Sequence, residues 1–125
     1  MSREIKFRGI DKKTKKWVYG ELFGNMIYTN PGAGTSYNYY EFGKEIVEGT
    51  LGQYIGLKDI NGVEIYEGDV LQHIHHNIKD WKGIVQYKEA YFFINPNGGE
   101  YILNANRVSY VKVVGNIYDK PELLK

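Results

Sequence analysis

Hydrophobic and polar positions alternate with a period of two through much of this chain, the spacing of strands with one buried face. Residues 5–8 read Ile-Lys-Phe-Arg and residues 17–23 read Trp-Val-Tyr-Gly-Glu-Leu-Phe, separated by the polar run Asp-Lys-Lys-Thr-Lys-Lys. This predicts an N-terminal hairpin with its lysines solvated at the tip. Residues 50–72, TLGQYIGLKDINGVEIYEGDVLQ, constrain the rest most strongly. Asn61-Gly62 between apolar runs predicts a two-residue type I′ turn, which needs positive φ at both central positions. Glu67-Gly68 predicts a second turn, with Gly68 at positive φ and Asp69 bonding nearby amides before the next strand starts. Further strands are expected over residues 70–76, 83–87, 91–94, 101–103 and 108–114. Residues 95–99 (Asn-Pro-Asn-Gly-Gly) read as a turn and 104–107 as a one-turn 3₁₀ connection. Residues 30–38, NPGAGTSYN, read as a loop flanked by Tyr28, Tyr37, Tyr39 and Tyr40. Only the end reads as helical, with Asp119 as cap, Pro121 in the first turn and Glu122-Leu123-Leu124 following. Short strands at near-regular spacing point to a mainly β barrel or sandwich.

A chain of 125 residues has room for one domain and buries roughly two-thirds of its unfolded surface, so no staple is required. There is no cysteine, which excludes disulfides, thiolate catalysis and cysteine-held metals. The Met-Ser-Arg-Glu start lacks the apolar core of a signal peptide, and no run reaches membrane-spanning length. The expected setting is the cytoplasm, with no membrane partner. A net charge of +1 argues against a wholesale polyanion binder, yet the charge is uneven. Residues 1–20 hold seven basic side chains against Glu4 and Asp11, whereas residues 41–69 hold seven acids against Lys44 and Lys58.

Three segments together resemble the YopX family of phage and prophage proteins: IKFRGIDKKTKKWVYG at residues 5–20, TLGQYIGLKDINGVEIYEGDVL at 50–71 and VVGNIYDKPELL at 113–124. They run in family order over nearly the whole chain. Gly9-Ile10 stands where the family commonly has Ala-Trp, and Ile55 where a small polar Thr is usual. Ile60 and Val63 replace common charged residues and give the central hairpin an apolar rim. The resemblance implies a single YopX-like domain: an N-terminal β-rich segment over 1–49, then the central hairpin and an SH3-like small β-barrel over 50–125. It also implies a phage origin and a bacterial host's cytoplasm. It implies no activity.

Candidate chemistry is sparse. His73 and His75 of QHIHHN share one face of a strand, yet a working zinc or nickel site wants a third ligand, and no nearby carboxylate is spaced to supply one. Solvated histidines, no metal and no cofactor are expected. Asp59, Glu64, Glu67 and Asp69 invite an acid–base reading, but turn-capping accounts for them more simply. No nucleophile elbow, phosphate-binding glycine loop or zinc-protease helix occurs, so no enzyme is expected. Lys12, Lys13, Lys15 and Lys16, with Arg3, Lys6 and Arg8 behind them, are the candidate nucleic-acid contacts, aided by aromatics such as Tyr37, Tyr39 and Tyr40. Twelve tyrosines exceed what a core of this size wants, and tyrosine is enriched at interfaces. The leading expectation is a phage-encoded, non-enzymatic interaction module that self-associates or meets a host or phage protein. The alternative is a single-stranded nucleic-acid-binding small β-barrel.

Overall fold

The computed structural model describes residues 4–29, 43–74, 82–96 and 99–120. The chain divides between Tyr54 and Ile55 into two compact units, each built from short antiparallel strands.

In the first unit β1 (Phe7–Ile10), β2 (Trp17–Phe23), β3 (Met26–Tyr28) and β4 (Gly43–Glu45) pair in the order β4-β3-β2-β1. Gly52 and Gln53, which open β5 (Gly52–Lys58), add to the far side of β1 opposite Arg8 and Phe7. The expected hairpin is present, with β1 shifted two residues along the chain. Its tip is closed by Asp11 N–H donating to Lys16 O (2.9 Å) and Lys15 N–H donating to Asp11 O (2.8 Å). β3 and β4 have three residues each, too few for an alternation to register, and sequence reading passed over both. Ile27 and Ile46 are buried here.

The second unit begins with the rest of β5 and its hairpin partner β6 (Glu64–Tyr66). β7 (Asp69–His73) lies between β12 (Val111–Asn116) and β8 (Lys82–Ile84), and β10 (Tyr91–Ile94) between β9 (Gln86–Lys88) and β11 (Tyr101–Ile102). One helical turn, α1 (Ala105–Val108), precedes β12, its N-terminus capped by the Asn104 side chain accepting from Arg107 N–H at 2.8 Å. The core gathers Ile55, Ile65, Leu71, Val85, Ile94, Leu103, Val108 and Val111. Each such aliphatic contributes about 1.5–3 kcal/mol on full burial.

The mainly β, antiparallel expectation holds, with differences in detail. The strand expected over 83–87 is two strands, β8 and β9, because Val85 turns inward. Its N–H donates to Asp69 O (2.8 Å) and its C=O accepts from Gly68 N–H (2.9 Å), so the chain switches sheets at this residue. Pairing is thereby split between separate sheets, and among the described residues no closed barrel forms. The one described helix is α1; the C-terminal helix expected over residues 121–124 lies outside the described residues. Asn116 caps the turn that follows β12, its Oδ1 accepting from Tyr118 and Asp119 N–H at 2.9 and 2.8 Å.

The central turn also differs. Gly62 N–H donates to Asp59 O (3.0 Å) and Asp59 N–H to Val63 O (2.8 Å), making Ile60 and Asn61 the central pair. Only Gly62 has positive φ, at 81°. This is the three-residue loop in which an ordinary turn is followed by a left-handed glycine, not type I′. The two-residue turn with positive φ at both positions occurs instead at Glu89 (49°) and Ala90 (72°), closing the Lys88–Tyr91 pair.

Candidate interaction surfaces

Three buried carboxylates are committed to the backbone. Asp11 Oδ1 accepts from Lys13 N–H (3.0 Å) and Oδ2 from the Thr14 hydroxyl (3.1 Å). The Lys13 amide, first among these, holds the Asp11 carboxyl below its ordinary value. Asp59 accepts three backbone N–H bonds: from Asn61 (2.8 Å) and Val63 (2.9 Å) on Oδ1, and from Val113 (2.8 Å) on Oδ2. Asp69 Oδ2 accepts from Tyr66 N–H at 2.8 Å, and Gly68 has φ of 90°, as the Glu67-Gly68 turn required. Carboxylates held this way are structural acceptors. Glu64 Oε1 accepts from the Tyr66 hydroxyl at 3.0 Å.

The four candidate lysines share the hairpin tip and are all exposed. Lys12 Nζ lies 3.5 Å from Glu45 Oε1. Lys13, Lys15 and Lys16 have no side-chain hydrogen bond or ion pair among the described residues. Tyr37, Tyr39 and Tyr40, expected to accompany them, fall outside the described residues. His73 is half-buried and its ring lies parallel to that of Tyr110 at 6.0 Å; His75 is outside the described residues. Among the described residues no group of three or more His, Asp or Glu is placed to hold a metal, and no helix is long and apolar enough to cross a membrane.

Two features escaped sequence reading. The first lies in the sheet of the N-terminal unit. Directly paired residues share a face, so the register Tyr19↔Arg8, Trp17↔Ile10, Glu21↔Tyr28 and Phe23↔Met26 gathers aromatic and basic side chains on one side. The Arg8 guanidinium sits 4.6 Å from the Trp17 ring, and Lys6 Nζ 5.5 Å from that of Tyr54. Phe23 and Tyr28 meet edge to face at 6.4 Å, while Phe23 is 74% exposed and Tyr19 46%. The alternation of aromatics along β2 was visible in the sequence; which cations it would face was not. Behind the Lys12 side of the tip, a cavity of about 360 Å³ is floored by Leu22, Ile46, Val47 and Leu51.

The second is on the β9–β10–β11 sheet. Glu100 accepts from Lys88 Nζ (2.7 Å) and from the Tyr91 hydroxyl (3.0 Å), beside Phe93, whose ring lies 5.2 Å from Lys88 Nζ. The Lys88 and Tyr91 donors hold Glu100 below its ordinary pKa, and Glu100 in turn raises those of Lys88 and Tyr91. Around this trio Tyr87, Tyr101 and Ile102 are exposed; elsewhere in the unit so are Ile60 and Val63, the apolar rim of the central hairpin.

Comparison with known proteins places these surfaces in a family context. The family model described as "YopX protein" matches residues 6–125. The solved structure titled "Crystal structure of protein EF1440 from Enterococcus faecalis" is similar at 27% identity, covering 99% of this chain and 100% of that one with a TM-score of 0.66. No curated protein matches.

Proposed function

The chain belongs to the YopX family, and from that premise we propose that it is a non-enzymatic interaction module, encoded by a phage or prophage and acting by self-association in the host cytoplasm. The observation that carries this reading is the set of large apolar side chains left in solvent on the C-terminal unit, Tyr87, Tyr101 and Ile102 at one sheet and Ile60 and Val63 at the hairpin tip. Tyrosine and branched aliphatics in such positions are the material of protein interfaces. The commitment of Asp11, Asp59 and Asp69 to backbone amides supports the non-enzymatic part, since it takes away the carboxylates best placed for acid–base work. As the finer description of this unit we offer an SH3-like arrangement of its strands, which among the described residues do not close into a barrel. Sedimentation velocity tests the reading. We expect a species heavier than the 14.5 kDa chain that dissociates in a Tyr87→Ser, Ile102→Asp variant. A monomer at all concentrations overturns it.

A second reading, binding of single-stranded nucleic acid, is favoured by one observation: two of the four tip lysines, Lys15 and Lys16, have no counter-charge among the described residues. Loss of oligonucleotide binding on changing Lys12, Lys13, Lys15 and Lys16 to Glu, with assembly size unchanged, supports it. Loosening of an oligomer by the same changes, most visible at low salt, points instead to pairing of the tip with acidic residues of a second copy.

A further inference from the structure

We propose that the aromatic face of β2, running on from the lysine tip, is a stacking ladder for single-stranded nucleic acid, with bases on Trp17, Tyr19 and Phe23 and phosphates on Lys13, Lys15 and Lys16. The inference rests on the nucleic-acid reading of the tip and adds a base-binding surface to it. A strand sends alternate side chains to one face at roughly 7 Å per two-residue step, so Trp17, Tyr19 and Phe23 form a row on one side of the sheet, interrupted by Glu21. The row starts where the tip ends: Lys16 is followed directly by Trp17, and β2 has no break before Phe23. Two of its rings are open to solvent, Phe23 most of all.

Charge selects the occupant. A polyphosphate supplies the counter-charge that Lys15 and Lys16 lack among the described residues, and exposed rings beside it accept the π-faces of unpaired bases regardless of sequence. In a duplex those faces are already stacked on one another, so the ladder selects single strands. Arg8, over the Trp17 ring, holds the start of the aromatic row in place and adds positive potential.

The test is fluorescence anisotropy of a labelled oligothymidylate of about 12 nucleotides, titrated with the full chain at several salt concentrations. Parent protein is expected to bind with an affinity that falls as salt rises. Phe23→Ser and Tyr19→Ser should each weaken binding about tenfold, or about 1.4 kcal/mol, by loss of base stacking, while leaving the salt slope unchanged. Lys13→Gln and Lys16→Gln should each lower that slope by about 0.7. Both aromatic positions are exposed, and Tyr19→Phe, which keeps the ring, should retain parent affinity; this separates stacking from a folding defect. If the lysine variants lose binding and the aromatic ones do not, the ladder is wrong and the charge reading stands. If the parent protein binds no oligonucleotide, both fail. Equal affinity for duplex overturns the ladder, as does a dimer dispersed by Phe23→Ser without oligonucleotide binding.

Discussion

Two hairpin turns in the C-terminal unit solve the same problem by opposite means. At residues 59–63 the sequence supplies every device locally: Gly62 for the left-handed position and Asp59, whose carboxylate collects the amides of Asn61 and Val63 and reaches across to Val113. At Glu89-Ala90 it supplies none, and two residues with side chains occupy positive φ. Left-handed backbone costs such residues about 1 kcal/mol each. The surroundings offset it: Lys88 and Tyr91 pair across the turn and share Glu100, and Tyr87 packs on Phe92 with ring centroids 4.9 Å apart. One turn directs its strands, and the other is held by them.

Breaking the first turn should have the largest effect. Asp59→Ala leaves three amide donors without their acceptor, one of them 54 residues away in sequence. We expect a loss of about 3 kcal/mol or more in denaturant unfolding; a loss below about 1 kcal/mol would mean that water replaces the carboxylate readily. Gly62→Val comes next. A β-branched residue at φ of 81° is strained although a Cβ there meets nothing within 4 Å, so about 1–3 kcal/mol should be lost. Coincident midpoints for mutant and parent would remove the left-handed assignment.

The second turn should respond with the opposite sign. Ala90→Gly relieves a left-handed alanine and is expected to stabilise the protein by up to about 1 kcal/mol; destabilisation would show that the hairpin is not strained. The smallest effect concerns the trio that holds this turn. Glu100 titrates lower in the folded state, so its contribution is present above the unfolded pKa near 4.5 and is lost as pH falls through the folded value. Lys88 titrates higher, so its share is present below 10.5 and is lost as pH rises through its folded value. Glu100→Gln should therefore lower the melting temperature slightly at pH 7, with the gap to the parent closing in acid. An equal gap at both pH values would assign the effect to packing.

Much of this was legible in the chain. The N-terminal hairpin, the turn at Glu67-Gly68 and the positive φ at Gly62 follow from alternation and turn chemistry, which are properties of neighbouring residues. The type I′ assignment at Asn61-Gly62 failed because the same dipeptide serves a three-residue loop when an upstream aspartate can cap it. The lysine tip was visible as a charge run, whereas its continuation into an aromatic row facing Arg8 depends on register, which the sequence of one strand does not contain.

The sequence by itself therefore determined the strand-and-turn vocabulary, the mainly β class and the family. These depend on local backbone preference and on which side chains leave water. Tertiary structure alone decided the switch of sheets at Val85, the bond from Val113 to Asp59 and the strained turn at Glu89-Ala90. Each is imposed by partners distant in the chain, whose pairing outweighs the local preference of the residues they hold.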